Sequence, residues 1–236
     1  MWSNKSFLII GGTSGIGLEV VRGLAERGSA VTVWSRTPSD ELSRLGVTHH
    51  SVDVTGDVTA TALPDQIDGV GYFPGSINLA PFERLSGDAF LSDLQVNLLG
   101  AVRVLQRAVP VMTKSGGGSV VLVSTVAVQT GMSYHASIAA AKGAVEGLAR
   151  SLASEYAPKN LRFNVIAPSL TDTPLAERLL NSDQKRKRSA ERHPLGRVGS
   201  PADQAAAALY LLGDESTWVT GQVLHVDGGM SSLRSA

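Results

Sequence analysis

The sequence contains no cysteine, carries no net charge and lacks any apolar run long enough to cross a membrane. The absence of cysteine excludes disulfides and thiolate chemistry. Basic and acidic residues number 21 each, so the overall charge gives no reason to expect a nucleic-acid partner. A membrane helix needs about 18 consecutive apolar residues, and no run approaches that length. Residues 1–6 are too few and too polar for a signal peptide, so we expect a soluble, cytoplasmic protein.

Apolar segments of strand length alternate with helical patterns along almost the whole chain. A chain of 236 residues that is 43% hydrophobic can bury one large α/β core. The predicted strands cover residues 7–10, 30–35, 47–52, 68–73, 119–124, 160–166 and 222–226. The predicted helices cover residues 18–27, 40–45, 87–112, 133–156 and 201–212. Continuous apolar strands separated by helices indicate a parallel sheet covered on both faces.

A glycine-rich turn joins the first strand directly to the first helix. Gly11, Gly15 and Gly17 follow the apolar run 7–10, and apolar residues then recur at helical spacing from Leu18. Glycines allow a tight turn and close backbone approach, and the free amides of the first helical turn then face an anion. The strand–turn–helix context predicts a dinucleotide phosphate site here.

The segment 171–192 is polar and charged and shows no apolar periodicity, so we interpret it as an irregular insertion outside the core. It contains the basic run Lys185 to Arg188. Acidic residues flank this run at Glu177, Asp183 and Glu191, which favours a solvated loop or helix face over a nucleic-acid patch.

The order of these parts resembles the short-chain dehydrogenase/reductase family, over residues 6 to about 231. The glycine turn is similar to that family's T-G-x-x-x-G-x-G, with Ile10 in place of the leading threonine. Asn97 resembles the family's mid-helix asparagine, and the closing region from Gly196-Arg197 through Thr220-Gly221-Gln222 to Asp227-Gly228-Gly229 resembles the family's C-terminal third. The resemblance implies one Rossmann-type domain over residues 1–236, with a substrate lid around 171–192. Its doubly wound seven-stranded parallel sheet would have the order 3-2-1-4-5-6-7, with ligands at the carboxyl ends of the strands.

The end of the second strand indicates which cofactor is bound. An NAD site places a carboxylate there to accept from the ribose 2′-hydroxyl, whereas this chain has Ser35-Arg36-Thr37 and no acid. A guanidinium at Arg36 can pair with a 2′-phosphate, and the neighbouring hydroxyls can assist, so the pattern predicts NADP(H). Asp53 resembles the family's adenine contact, although an aspartate that caps a helix or stabilises a turn is an equally ordinary interpretation. Thr173 resembles the family's nicotinamide contact. The predicted cofactor-binding residues are Gly11, Thr13, Ser14, Gly15, Ile16, Gly17, Ser35, Arg36, Thr37, Asp53, Val54, Gly75, Lys142, Pro168 and Thr173.

The catalytic positions of the family are only partly present. Its chemistry uses a tyrosine, a lysine four residues later, a serine thirteen residues before the tyrosine, and an asparagine. Lys142 and Asn97 match, Ile138 occupies the tyrosine position, and Thr125 occupies the serine position with Ser124 beside it. Since isoleucine cannot transfer a proton, another group must do so if the protein is an active enzyme.

Two nearby residues are candidates for the missing proton donor. On an ideal helix, His135 lies within about 20° of Lys142, and Tyr134 lies about 80° away. Histidine has a suitable pKa near neutral pH, and tyrosine has the family's own chemistry. The predicted catalytic set is therefore Asn97, Thr125, Lys142 and either His135 or Tyr134, with water or the substrate as the remaining alternative for the proton donor. No metal site is predicted.

Two functions follow from this mixed pattern. The first is an NADP(H)-dependent oxidoreductase acting on a small carbonyl or alcohol substrate, with an atypical proton donor. The second is a catalytically silent NADP(H)-binding protein, and a non-redox reaction on the same fold is also open. The retained Asn97 and Lys142 favour the enzyme, since binding alone makes no demand on them. The resemblance further implies a homodimer or homotetramer.

Overall fold

The structure is a computed structural model that describes residues 2–233. Residue 1 and residues 234–236 of the expected domain lie outside the described part. Seven strands form one sheet: β1 (Ser6–Ile10), β2 (Ala30–Ser35), β3 (Thr48–Ser51), β4 (Gly69–Tyr72), β5 (Gly118–Val123), β6 (Leu161–Pro168) and β7 (Val223–Val226). They are parallel and have the order 3-2-1-4-5-6-7, which confirms the predicted topology.

Helices connect these strands. They are α1 (Gly15–Glu26), α2 (Asp40–Arg44), α3 (Gly87–Leu94), α4 (Gly100–Lys114), α5 (Ala127–Thr130), α6 (Ala136–Tyr156), α7 (Glu177–Leu180), α8 (Asp183–Glu191) and α9 (Pro201–Leu212). A π-helical turn, Gln95–Leu99, joins α3 to α4, so the single long helix predicted over 87–112 is continuous but locally widened. No helix between residues 2 and 233 combines the length and apolar character that crossing a bilayer requires.

The strand β1 shows how helices cover both faces of the sheet. Successive side chains of a strand point to opposite faces. Phe7 and Ile9 pack in one cluster with residues of α1 and α9, whereas Leu8 and Ile10 pack in a second cluster with residues of α4 and α6. All four side chains are essentially inaccessible to solvent, and burying each contributes about 2 kcal/mol relative to exposure.

The prediction that segment 171–192 is irregular is wrong. It contains the helices α7 and α8, and the Ser182 side chain caps α8 by accepting a hydrogen bond from the amide of Lys185. Residues 185–188 are exposed, in agreement with a solvated helix face. Because α8 faces solvent on most sides, it carries no apolar stripe from which its helical period could be detected.

The strand order determines where a ligand can bind. β1 lies between β2 and β4, with Ile10 level with Trp34 on one side and Tyr72 on the other. The chain leaves β1 and β4 toward opposite faces of the sheet, which opens a crevice beyond the carboxyl ends of these strands. The glycine turn after β1 and the loops after β2, β4, β5 and β6 therefore meet at one edge.

Candidate functional site

Two adjoining cavities occupy the carboxyl edge of the sheet. The first, which we call the cleft, has a volume of about 640 Å³ and is lined by the glycine turn and the ends of β2 and β3. The second, the inner cavity, has a volume of about 310 Å³ and is lined by residues from β5, α6, β6 and the segment that follows β6. Both are lined by Ile16, Phe73, Gly75, Ser76, Ile77, Thr173 and Leu175. The shared wall makes the two cavities one continuous site.

The glycine turn forms one end of the cleft. Gly15 has a φ of +54°, which favours glycine, and a Cβ on Gly17 would overlap the carbonyl oxygen of Gly11. Helix α1 therefore begins directly against the turn. Its cap residue, Ser14, makes no side-chain hydrogen bond to the first turn. The first-turn amides consequently depend on solvent or a ligand, and the positive end of the helix favours an anion.

The loop after β2 forms the other end of the cleft. The Ser35 hydroxyl donates to the carbonyl of Thr37 at 2.9 Å and lies 2.8 Å from Nε2 of His49. The Ser51 hydroxyl donates to the carbonyl of Arg36 at 2.9 Å. These hydrogen bonds stabilise the loop. The Ser35 hydroxyl, which we expected to assist in binding a ligand, is therefore already engaged within the protein. The Arg36 guanidinium makes no hydrogen bond to any described residue and lines the cleft.

Asp53 lies at the cleft after β3. The backbone amide and the hydroxyl of Thr55 both donate to its Oδ1 atom, at 2.9 and 2.7 Å. These hydrogen bonds, with a smaller contribution from Arg36, hold the pKa of Asp53 below its ordinary value. The carboxylate is therefore ionised at neutral pH and available as an acceptor.

Most of the predicted cofactor-binding residues line the cleft together. They are Gly11, Thr13, Ser14, Gly15, Ile16, Gly17, Ser35, Arg36, Thr37, Asp53, Val54, Gly75 and Thr173. The other two, Lys142 and Pro168, line the inner cavity.

Lys142 is a buried cation at the inner cavity. Its side chain extends from α6 to the end of β5, where Nζ donates to the carbonyl of Val123 at 2.8 Å. The residue is 6% exposed. Burial lowers the pKa of Lys142 to about 8, an effect that the negative charge of Asp93 opposes.

The two hydroxyls after β5 have different partners. The Ser124 hydroxyl donates to Oε1 of Glu146 at 2.7 Å, and both residues are buried. Thr125 accepts a 3.3 Å hydrogen bond from the amide of Ala127 and donates to no described residue. Both line the inner cavity, but only the Thr125 hydroxyl has its proton free for a ligand.

Asn97 lies behind the shared wall, on the π-helical turn, and is fully buried. Its Nδ2 donates to the hydroxyl of Ser76 at 2.9 Å and to the carbonyl of Asp93 at 2.7 Å, while its Oδ1 has no partner among the described residues. A Cβ on Gly75 would lie 3.6 Å from this oxygen and 3.9 Å from Nζ of Lys142. Because Gly75 has no side chain, the space next to its Cα stays open, and Oδ1 of Asn97 and Nζ of Lys142 both lie close to this space.

The two candidate proton donors occupy different environments. Helix α6 begins at Ala136, so the prediction that it starts at residue 133 is wrong, and the helical-wheel argument does not apply to Tyr134 or His135. Tyr134 has a φ of +70°, is 59% exposed and does not line the inner cavity. His135 precedes the first turn of α6 and lines the cavity, with Nδ1 2.7 Å from the carbonyl of Ser133. Ile138 is buried in the same wall.

A further histidine, missed in the sequence analysis, lines the inner cavity. His193 follows α8 and is 3% exposed. Its Nε2 lies 2.9 Å from the hydroxyl of Ser169, and its Nδ1 lies 2.7 Å from the carbonyl of Ser189. The only sequence signal was a histidine before Pro194, just beyond the segment that we interpreted as an insertion.

Comparisons with known proteins agree with this architecture. The family described as enoyl-(acyl carrier protein) reductase matches residues 11–231. A tropinone reductase homologue of Arabidopsis thaliana is 33% identical, over 98% of this chain and 94% of that protein. A short-chain type dehydrogenase/reductase from Mycobacterium ulcerans is 30% identical, with a TM-score of 0.90 over 99% of this chain and 92% of that one. A gluconate 5-dehydrogenase from Burkholderia cenocepacia, solved with NADP and tartrate, is 27% identical, with a TM-score of 0.90 over 98% and 97% of the two chains.

Proposed function

Since this chain belongs to the short-chain dehydrogenase/reductase family, we propose that it is an NADP(H)-dependent oxidoreductase acting on a carbonyl or alcohol group of a small molecule. The observation that carries the proposal is the position of Lys142. Its buried cation lies in the inner cavity beside Thr125, next to a cleft that opens on a helix N-terminus. One site therefore joins an anion-binding end to a polar centre suited to a substrate oxygen.

The cleft fits NADP(H) at three points. The amides of the first turn of α1 suit the pyrophosphate. The open point above Gly75, between Asn97 Oδ1 and Lys142 Nζ, leaves room for the nicotinamide riboside. The guanidinium of Arg36 suits a 2′-phosphate, and the gluconate 5-dehydrogenase solved with NADP supports this choice of nucleotide. When bound, the nicotinamide supplies or accepts the hydride.

The residues of this chain would then have separate roles. Lys142 binds the ribose hydroxyls and places positive charge near the reacting oxygen. Thr125 donates a hydrogen bond from its free hydroxyl to the substrate oxygen and orients the carbonyl. Asn97, through its unpartnered Oδ1, holds a water that connects Lys142 to solvent. The segment 171–192 forms a lid over the substrate in a single Rossmann-type domain.

The proton donor is atypical in this proposal. Ile138 stands in the place of the family's tyrosine, four residues before Lys142, and has no exchangeable side-chain proton. Another group of the inner cavity must therefore serve. Of the two candidates that we derived from the sequence, His135 lines the cavity and Tyr134 faces solvent.

A second candidate function is a catalytically silent NADP(H)-binding protein, and Ile138 is the observation that favours it.

Exposed apolar residues support assembly as a homodimer or homotetramer under either function. Leu91 and Leu99 are exposed along the α3–α4 helix, and Trp218 is 99% exposed. We propose a cytoplasmic location in both cases.

NADPH oxidation by the purified protein over a panel of aldehydes, ketones and quinones tests the enzyme against the binding protein. We expect turnover of at least one carbonyl, with Lys142→Ala inactive. Tight NADPH binding without turnover of any carbonyl in the wild-type protein would overturn the enzyme and favour the silent binder. Failure to bind NADPH or NADH would overturn both.

A further inference from the structure

The side chains of Ser169 and His193 form a buried pair inside the inner cavity. Ser169 follows β6 directly, and His193 reaches it from the end of α8, 24 positions later in the chain. Both residues are less than one tenth exposed, and both line the cavity with Lys142 and Thr125.

The surroundings of His193 determine which ring nitrogen carries the proton. The carbonyl of Ser189 can only accept, so Nδ1 of His193, at 2.7 Å, must donate to it. In the neutral ring Nε2 is then unprotonated, and the Ser169 hydroxyl must donate its proton to Nε2 at 2.9 Å. The lone pairs of Ser169 Oγ remain free to accept a proton from a ligand.

Strand pairing brings Ser169 close to Thr125. β5 and β6 pair in parallel with Val123 level with Ile166, so Thr125 is level with Pro168 in the same register. The amide of Val126 donates to the carbonyl of Pro168 at 3.0 Å, which extends this pairing beyond the end of the strands. Ser169 therefore begins the loop beside the hydroxyl that we propose to hold the substrate oxygen.

We propose that Ser169 and His193 form the proton relay that replaces the missing tyrosine; this inference rests on the proposed function. In alcohol oxidation, the substrate hydroxyl gives its proton to Ser169 Oγ while the Ser169 proton passes to Nε2 of His193. The C–H bond breaks as hydride leaves to the nicotinamide, and the electron pair of the broken O–H bond completes the C=O bond.

In carbonyl reduction the same transfers run in reverse. Hydride from the nicotinamide forms the new C–H bond, and the π electron pair of the carbonyl moves to oxygen. That oxygen takes the Ser169 proton while Oγ takes the proton from Nε2 of the imidazolium, so His193 ends neutral and regains its proton from solvent. Nδ1 donates to the Ser189 carbonyl in both states, so the ring need not turn.

His135 is less suited to this role. It is only half-buried, and its Nδ1 is bonded to the carbonyl of Ser133, two residues away. Its side chain forms no hydrogen bond with a cavity hydroxyl among the described residues, so it would have to reach the substrate directly. The Ser169–His193 pair is already connected and buried before any ligand binds.

The tautomer of His193 gives a test that is independent of activity. NMR of the ligand-free protein with ¹⁵N-labelled histidine distinguishes the two neutral forms, and His193→Gln identifies the His193 signals. We expect neutral His193 to carry its proton on Nδ1, and Ser169→Ala to shift the Nε2 resonance specifically. A proton on Nε2 in the neutral ring, or no response to Ser169→Ala, would overturn the relay.

Kinetics of matched variants test the relay in turnover. General acid–base catalysis contributes about 100-fold or more, so we expect Ser169→Ala and His193→Gln each to lower kcat by at least about 100-fold. The double variant should be little worse than either single variant. NADPH affinity should stay within about twofold of wild type, and His50→Gln on β3 serves as the matched control.

The outcomes separate the relay from the proposed function. Wild-type turnover that survives in both variants, or is lost only in His135→Gln, overturns the relay and leaves the oxidoreductase intact. Wild-type protein that binds NADPH but turns over no carbonyl or alcohol overturns both. Because Ser169→Ala removes a single oxygen atom, it keeps the test valid if His193→Gln fails to fold.

Discussion

Nζ of Lys142 donates a hydrogen bond to the main-chain carbonyl of Val123 at 2.8 Å. This bond joins the N-terminal third of α6 to the last residue of β5 and fixes the only lysine that lines the inner cavity of the described chain. The bond fixes the position of the Lys142 ammonium group relative to the cleft, and the first two predictions depend on that position.

Replacing Lys142 tests its role at the ribose and the reacting oxygen. We expect Lys142→Ala to weaken NADPH binding and to abolish turnover, because Lys142 is the only lysine among the described residues that line the inner cavity. Fluorescence titration with NADPH and steady-state assays measure the two effects. Lys159→Ala, on the surface after α6, is the matched control and should change neither quantity. Full turnover in Lys142→Ala would contradict the assigned role.

The same residue should make stability depend on pH. Burial lowers the pKa of Lys142 from 10.5 to about 8, so the unfolded chain holds the proton more tightly than the folded protein. Between pH 8 and 10.5 the unfolded state binds more protons, and the free energy of unfolding therefore rises with pH. Relative to Lys142→Met, the wild type should gain on the order of 3 kcal/mol across this interval. Urea unfolding of both proteins at pH 7.5 and 10 measures this difference, and a constant difference would contradict the shift.

Arg36 should set the choice between NADPH and NADH. A charge-assisted contact contributes about 1.5–3 kcal/mol, so Arg36→Ala should lower the NADPH-to-NADH preference by roughly 10- to 100-fold. Affinity for NADH should change little. The ratio of dissociation constants for the two nucleotides measures this, with exposed Arg84→Ala as control. An unchanged ratio in Arg36→Ala would mean that the 2′-phosphate is held elsewhere.

The glycine turn should not tolerate a single methyl group at residue 17. A Cβ there would overlap the carbonyl oxygen of Gly11, so Gly17→Ala must push α1 away from the turn. We expect loss of NADPH binding and a lower Tm. Gly147→Ala is the matched substitution, since its Cβ would meet nothing within 4 Å on the exposed side of α6. Helix propensity predicts that this control is stabilised by up to about 1 kcal/mol.

Ser124 and Thr125 should separate stability from activity. Ser124→Ala leaves the buried Glu146 carboxylate without its hydrogen-bond donor, which should cost about 1–3 kcal/mol of unfolding free energy. Thr125→Val keeps the shape of the side chain and replaces its hydroxyl with a methyl group, so it should lower kcat with little loss of stability. Thermal unfolding and kinetics of the two variants measure the contrast. The opposite pattern would assign the substrate-binding hydroxyl to Ser124.

Much of the fold could be predicted because its sequence signals either lie within single elements or repeat along the whole chain. Alternating apolar strands and helices indicated the parallel sheet, and family resemblance supplied the strand order. The start of α6 was misplaced because residues 133–135 contain no glycine or proline to separate them from the alanine-rich helix that follows. The positive φ of Tyr134 is incompatible with an α-helix at that residue, and sequence periodicity does not report a backbone angle.

The parts of the site that escaped prediction are contacts between distant residues. Ser35 is bonded to His49 across two neighbouring strands, and His193 meets Ser169 because α8 returns over the carboxyl edge of the sheet. No spacing rule links such pairs, since the connecting segments differ in length from fold to fold. The sequence alone predicts that Ile138 occupies the family's tyrosine position, but the Ser169–His193 pair that we propose as its replacement became visible only in the structure.

Outside the wall that they share, the two cavities are lined by different parts of the chain. The cleft is lined almost entirely by residues 10–96, whereas α7, α8 and the residue after α8 contribute Leu179, Ser189 and Arg192 to the inner cavity alone. Changes at Leu179 or Arg192 would therefore reshape the space for a substrate without touching the nucleotide. Under laboratory evolution, substrate range and nucleotide choice would behave as two separately selectable traits of one small protein.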